Sequence, residues 1–167
     1  MDNSEHKHLS HLDEGGRARM VDVTEKGDTD RMARARGTIA FSSPEAWDLI
    51  RRGETKKGDI LTVAKIAGIG GAKRTGELIP LCHPLVLTGI DLSFRLKETQ
   101  RTIEIEAEVR CTGKTGVEME ALTAVSIAAL TLYDMCKAVD KGMVIGEIRL
   151  VEKRGGRSGT FVYSEKD

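Results

Sequence analysis

Asp134 and Lys137 stand three positions apart in "YDMCKA", close enough on a helix for carboxylate and ammonium to meet. Held together in a cleft, such a pair can take and give protons, because burial and nearby cations lower the lysine pKa while the aspartate raises it. As a plain structural ion pair the same residues would carry no function. Upstream, "IPLCHPL" sets Cys82 beside His83, between Pro80 and Pro84. Adjacent residues in an extended segment point to opposite sides, so these two are poorly placed as nucleophile and base for each other. The prolines stiffen the backbone on both sides. That suits either a rigid loop with a packed thiol and a surface imidazole, or a wall that presents one imidazole to a ligand. The residues alone leave both open.

"CTGKTG" resembles a phosphate-binding loop but lacks its first glycine, since position 108 is Glu108. Glycines and Lys114 ahead of a helix still offer N–H groups and positive charge to an anion. Other cations also sit in glycine-rich settings: Lys56 and Lys57 before Gly58, Lys73 and Arg74 after Gly70 and Gly71, and Lys153, Arg154 and Arg157 around Gly155 and Gly156. Each by itself reads as a solvated loop. Together, on a chain of 167 residues with 26 basic and 26 acidic side chains, they suggest a polyanionic small molecule, because a DNA-binding chain would carry a broadly basic face. An RNA-binding sheet is disfavoured too: aromatic content is 4% and only Phe94 falls in the hairpin strands, leaving no stacking platform.

Three cysteines, Cys82, Cys111 and Cys136, cannot all pair and show no C-x-x-C spacing, so a reducing, cytoplasmic setting is expected. The polar start lacks the apolar core of a signal peptide, and no membrane span is expected. His6, His8 and His11 tempt a metal reading. Nothing fixes the geometry a metal needs, so they read as an exposed tail.

The elements that must position these groups follow from periodicity. Residues 1–36 read as an arm rich in Gly and charge, with one apolar island at Met20–Val23. "GTIAF", Gly37–Phe41, predicts a short strand, and "SSPEAWDLI" a helix capped by Ser43 with Pro44 at its first position. Ile60, Val63, Ala64 and Ala67 follow Asp59 at helical spacing and predict a second helix, bent or weakened at Gly70 and Gly71. Ile90 to Leu96 and Ile103 to Cys111 alternate with polar residues around "ETQR", which is a β-hairpin with one buried face. A long apolar helix from about Val117 to Val139 and a strand in "MVIGEIRLVEK" complete the series. Strand, helices, strand, strand, helix, strand is the order of an α+β, ferredoxin-like split βαβ fold, an antiparallel sheet with helices packed on one face.

On the long helix, Thr123, Ser126, Thr131, Asp134 and Lys137 fall in one stripe roughly 140° wide, joined by Met119 and Glu120. A solvated face usually carries long charged side chains, yet here Thr and Ser stand in their place, so partial burial against a ligand or subunit competes with simple solvation. Glu120 and Asp134 are about 21 Å apart along the axis. Either they serve different sites, or an extended ligand is shared between subunits.

"KRTGELIPLCHPL", "TGKTGVEMEALTAVSIAALTLYDMCKAVDK" and "IRLVEKRGGRSG", in this order and at these separations, resemble the MoaC family of molybdenum cofactor biosynthesis. The likeness runs from about Met20 to Ser158. It implies one catalytic domain over residues 20–160, after a mobile arm at 1–19 and before a tail at 161–167. It also implies a homohexamer, a trimer of dimers with active sites at the dimer interface, and a lyase with no cofactor and no metal. Its substrate would be derived from a nucleotide: (8S)-3′,8-cyclo-7,8-dihydroguanosine 5′-triphosphate, rearranged to cyclic pyranopterin monophosphate as diphosphate leaves. By the same resemblance Asp134, Lys137 and Lys57 are the catalytic residues. Leu81, Cys82, His83, Met119 and Glu120 would contact substrate, with Lys73, Lys114, Lys153 and, in the arm, Arg31 as triphosphate or ring contacts.

Overall fold

Alternation of Ile and Glu is the simplest pattern in the chain, and it makes the hairpin of β2 (Leu87–Lys97) and β3 (Thr102–Gly113), joined by a 3-10 turn at Glu98–Gln100 and by Arg101 in the left-handed conformation. Ile103, Ile105, Ala107 and Val109 of β3 are fully buried while the glutamates between them face the other way. Burying each such isoleucine is worth about 1.5–3 kcal/mol. The computed structural model describes residues 11–13, 15–52 and 59–164. His6, His8 and Lys57, singled out above, lie outside the described residues.

The strand expected at Gly37–Phe41 is the end of a longer one, β1 (Thr29–Ala40). It runs antiparallel between β3 and β4 (Val144–Arg154), and a short β5 (Phe161–Val162) extends the β4 edge, giving the order β2-β3-β1-β4-β5. Ala33, Ala35 and Ile39 of β1 point into the core. Arg34 and Arg36 point to the opposite face and stay there because β3 and β4 supply acids across the ladder. Arg34 meets Glu106, Glu108 and Glu152, and Arg36 meets Glu106 at 2.6 Å. Opposite charges on facing strands are favourable, and here they make charged residues tolerable in the middle of a sheet.

Helices α1 (Pro44–Arg52), α2 (Ile60–Lys73), α3 (Thr75–Leu78) and α4 (Glu118–Cys136) accompany the five-stranded sheet, with α2 and α4 on its apolar face. This is the expected α+β, ferredoxin-like arrangement. Asp59 caps α2 by accepting from the N–H groups of Leu61 and Thr62. α2 is unbroken at Gly70 and Gly71, where a bend was expected. The glycine at 71 instead lets α4 approach, since a Cβ there would sit 2.7 Å from Ile127 Cγ1. Of the α4 stripe, Glu120 and Thr123 are buried, whereas Asp134 and Lys137 are exposed. Ser126 and Thr131 turn their hydroxyls onto the carbonyls of Leu122 and Ile127 in the preceding turn. The apolar length of α4 is spent on the core beneath the sheet, with Ala121, Ala124, Val125 and Ala128 fully buried.

Candidate active site

Antiparallel pairing brings the start of β1 and the ends of β3 and β4 to one end of the sheet, where α4 also begins. Four segments meet there around a cavity of about 850 Å³, within the range of small-molecule sites, about 300–1,000 Å³. They are the irregular strap before β1, the loop after α3, the turn between β3 and α4, and the glycine-rich loop after β4.

The loop after α3 is held at its start by the Cys82 N–H, which donates to the Ile79 carbonyl at 3.1 Å. Pro84 packs against Gly76, where a side chain would crowd it. The loop thereby presents Leu81, Cys82 and His83 to the cavity. His83 Nε2 donates to the Val21 carbonyl at 2.8 Å, which fixes a proton on that nitrogen and ties the loop to the strap. Burial first, and then the charge of Glu120, push the Cys82 thiol above its ordinary pKa. Thiolate is therefore scarce there near neutral pH, and the residue is chemically a small lining group.

Arg31, at the start of β1, reaches across to the β3–α4 turn: its Nε and Nη2 donate to the carbonyls of Gly113 and Lys114, each at 3.2 Å. Main-chain passage beside this arginine depends on Gly155 and Gly156, both at positive φ, because a Cβ on either would collide with Asp30 or with the guanidinium. Lys114 donates to the Thr24 carbonyl at 2.8 Å. Lys153 pairs with Glu118 at 3.5 Å and bonds Ser158 in the glycine-rich loop. In the first turn of α4, Met119 and Glu120 face the same space. Glu120 is only 4% exposed, and burial, with the charge of Glu118 adding, holds its carboxyl above the ordinary value. A carboxyl with a raised pKa in a cavity lined by cations is suited to giving as well as taking a proton.

Eight of the predicted site residues thus line one cavity: Leu81, Cys82, His83, Met119, Glu120, Lys114, Lys153 and Arg31. Asp134, Lys137 and Lys73 do not line it. Asp134 and Lys137 lie at the other end of α4, where Lys137 Nζ is 2.6 Å from Asp134 Oδ1. The hydrogen bond to Asp134, reinforced by its charge, raises the Lys137 pKa, so in the single chain this lysine stays an acid. Glu118, Lys26 and Ser158 were not singled out by the sequence yet line the cavity, and Arg157, read only as one of the cations in a glycine-rich setting, lines it too. Glu118 was readable from its place in "EME"; Lys26 carries no local signal at all. His11 reaches the rim, and among the described residues no group of three or more His, Cys, Asp or Glu side chains gathers as a metal would require.

Comparison with known proteins supplies an independent line. The family model described as the MoaC family matches residues 20–156. Among curated proteins the chain is similar to the cyclic pyranopterin monophosphate synthase of Heliobacterium modesticaldum, 61% identical over 94% of this chain and 98% of that one. It is also similar to the proteins of the same name from Thermomicrobium roseum, 60% identical over 92% of each chain, and from Desulfitobacterium hafniense, 59% identical over 94% and 95%.

Proposed function

The chain belongs to the MoaC family, and from that premise we propose that it is a lyase forming cyclic pyranopterin monophosphate, an early step of molybdenum cofactor biosynthesis. It takes (8S)-3′,8-cyclo-7,8-dihydroguanosine 5′-triphosphate and releases diphosphate. The observation that carries the reading is the cavity lined by Arg31, Lys114 and Lys153 together with the buried Glu120, whose carboxyl burial holds above its ordinary pKa. A triphosphate needs fixed cations, and rearrangement of the purine-derived ring needs groups that exchange protons near neutral pH.

In the closing step a hydroxyl of the rearranged sugar attacks the α-phosphorus, its proton passes to a base, and the bond to the bridging oxygen of diphosphate breaks. Arg31, Lys114 and Lys153 stabilise the charge that develops on that leaving group. Asp134, Lys137 and Lys57 move protons on the ring system, with Lys73 an outer phosphate contact. His83 holds the substrate against the wall made by Leu81, Cys82 and Met119.

The proton-handling pair and the cavity are about 21 Å apart on one helix, too far to act on one compact ring system. In keeping with what the family resemblance implies, we infer a composite site: the cavity of one copy is completed by Asp134 and Lys137 of another, in a homohexamer built as a trimer of dimers. Free thiols at Cys82, Cys111 and Cys136 suit a cytoplasmic setting. The deciding experiment is incubation of the purified protein with the cyclic dihydro-nucleotide, assayed for diphosphate and for the fluorescent pterin obtained on oxidation. Lys137→Ala is expected to abolish both products while leaving the assembly intact; near-normal turnover in that variant would remove the lysine from the mechanism.

A further inference from the structure

Residues 20–28 run along the cavity without helix or sheet structure, giving Val21, Val23, Lys26 and Gly27 to its wall, and their path is fixed at two points. The Val21 carbonyl accepts from His83 and the Thr24 carbonyl from Lys114, each at 2.8 Å. Between and beyond these seats the strap organises itself. Asp22 accepts from the N–H and hydroxyl of Thr24, and the Lys26 N–H donates to the Val23 carbonyl at 3.0 Å. Val21, Val23 and Lys26 come out half-buried and facing the cavity, while Asp22 and Thr24 face solvent.

Lys26 is thus delivered to a space that already holds Arg31, Lys114, Lys153 and Arg157, against only Glu118 and Glu120. Lys153 is paired with Glu118. Lys26 has no carboxylate partner among the described residues. A cavity lined by five basic side chains and two acidic ones attracts a polyanion, and Lys26 adds one of those positive charges.

We propose that the strap at residues 20–28 is a closing element that brings Lys26 onto the polyphosphate of the substrate, so that phosphate recognition and closure over the cavity are one event. The proposal rests on the functional reading above and adds to it a ligand contact and the segment that carries it. His83 and Lys114 have two tasks: they seat the strap through its carbonyls, and they line the space the strap covers. An occupied phosphate site then favours the seated strap, and the seated strap raises phosphate affinity.

Inorganic tripolyphosphate isolates this contact from the chemistry. Calorimetric titration of the intact oligomer should show Lys26→Met weakening tripolyphosphate about tenfold, with Lys26→Arg close to the parent and the parent's salt dependence reduced in the Met variant. With the cyclic dihydro-nucleotide, the Met variant should lose more in KM than in kcat. Unchanged tripolyphosphate binding in Lys26→Met, or no binding to the parent, overturns the strap assignment even if turnover is normal. Absence of turnover in the parent together with binding that depends on Lys26 overturns the functional reading and leaves the strap assignment standing.

Discussion

Lys137 Nζ lies 2.6 Å from Asp134 Oδ1, with 58% and 67% of their side chains exposed, at the end of α4 remote from the cavity that begins at Glu120. If the two halves of the site meet between copies, variants damaged in different halves should repair each other. Lys137→Ala and His83→Ala homo-oligomers are each expected to be inactive. Random re-pairing after mild dissociation puts half the dimers in mixed form with one of two sites intact, so about one quarter of parental activity should return. Diphosphate release by the remixed sample measures this, and none above the separate variants would place both halves within one chain.

Glu120 contributes to function at a cost to the fold. Its carboxyl is held above the ordinary 4.5 by burial, so the folded protein binds that proton more tightly than the unfolded chain. The group's stabilising contribution is complete below pH 4.5 and declines as pH rises through the folded value. Glu120→Gln should therefore melt higher than the parent at pH 8, by about 2–4 °C, with the gap closing near pH 4. The same variant should lose at least about tenfold in kcat/KM.

Asp140 works in the opposite sense. Burial alone would raise its pKa, but donors from Ser42, Ser43 and Gly142 outweigh burial and hold it below the ordinary 3.8. Three bonds from Ser42 and Ser43, at 2.6–2.9 Å, pin the segment after α4 to the start of α1, and the Gly142 N–H adds a fourth within that segment at 2.9 Å. Its contribution is present above pH 3.8 and is lost as pH falls through the folded value. Denaturant titration should show Asp140→Ala less stable at pH 7 by about 2–3 kcal/mol, and less so in strong acid.

The α2–α4 contact separates two glycines of identical helical context. A Cβ at Gly68 would lie 2.5 Å from Leu92 Cδ2 and 2.9 Å from the Ala124 carbonyl, whereas at Gly70 nothing lies within 4 Å. Gly70→Ala should stabilise by up to about 1 kcal/mol through helix propensity. Gly68→Ala should be net destabilising, the overpacking cost of about 1–3 kcal/mol exceeding that gain. Equal melting temperatures for the two variants would contradict this packing.

What the sequence disclosed depended on how local each interaction is. The hairpin was legible because large apolar residues alternate with glutamates within a few positions, and α1 because Ser43 and Pro44 mark its start. The first half of β1 was hidden, since Ala33 and Ala35 give little apolar signal and Arg34 and Arg36 look like a solvated arm. Their acidic partners lie 70 to 118 residues away. Gly71 suggested a bend because the helix it makes room for, α4, brings Ile127 against it from 56 residues further along. Within the site, "LCH" and "ME" stood out through family resemblance. Lys26 did not, because only the bonds of the strap to His83 and Lys114 give it a direction.

Arg31 and the Gly155–Gly156 pair occupy what amounts to one volume, since a side chain at either glycine would take the place of the guanidinium or of the Asp30 carbonyl. Such positions are not independent in descent. The Asp30 carbonyl and the positive φ at both positions hold glycine at 155 and 156 whatever stands at 31, while losing the arginine opens a gap under the β3–α4 turn that Arg31 braces. The dependence runs one way: an arginine at 31 requires the glycines, so a lineage can exchange the arginine and keep them, but not the reverse.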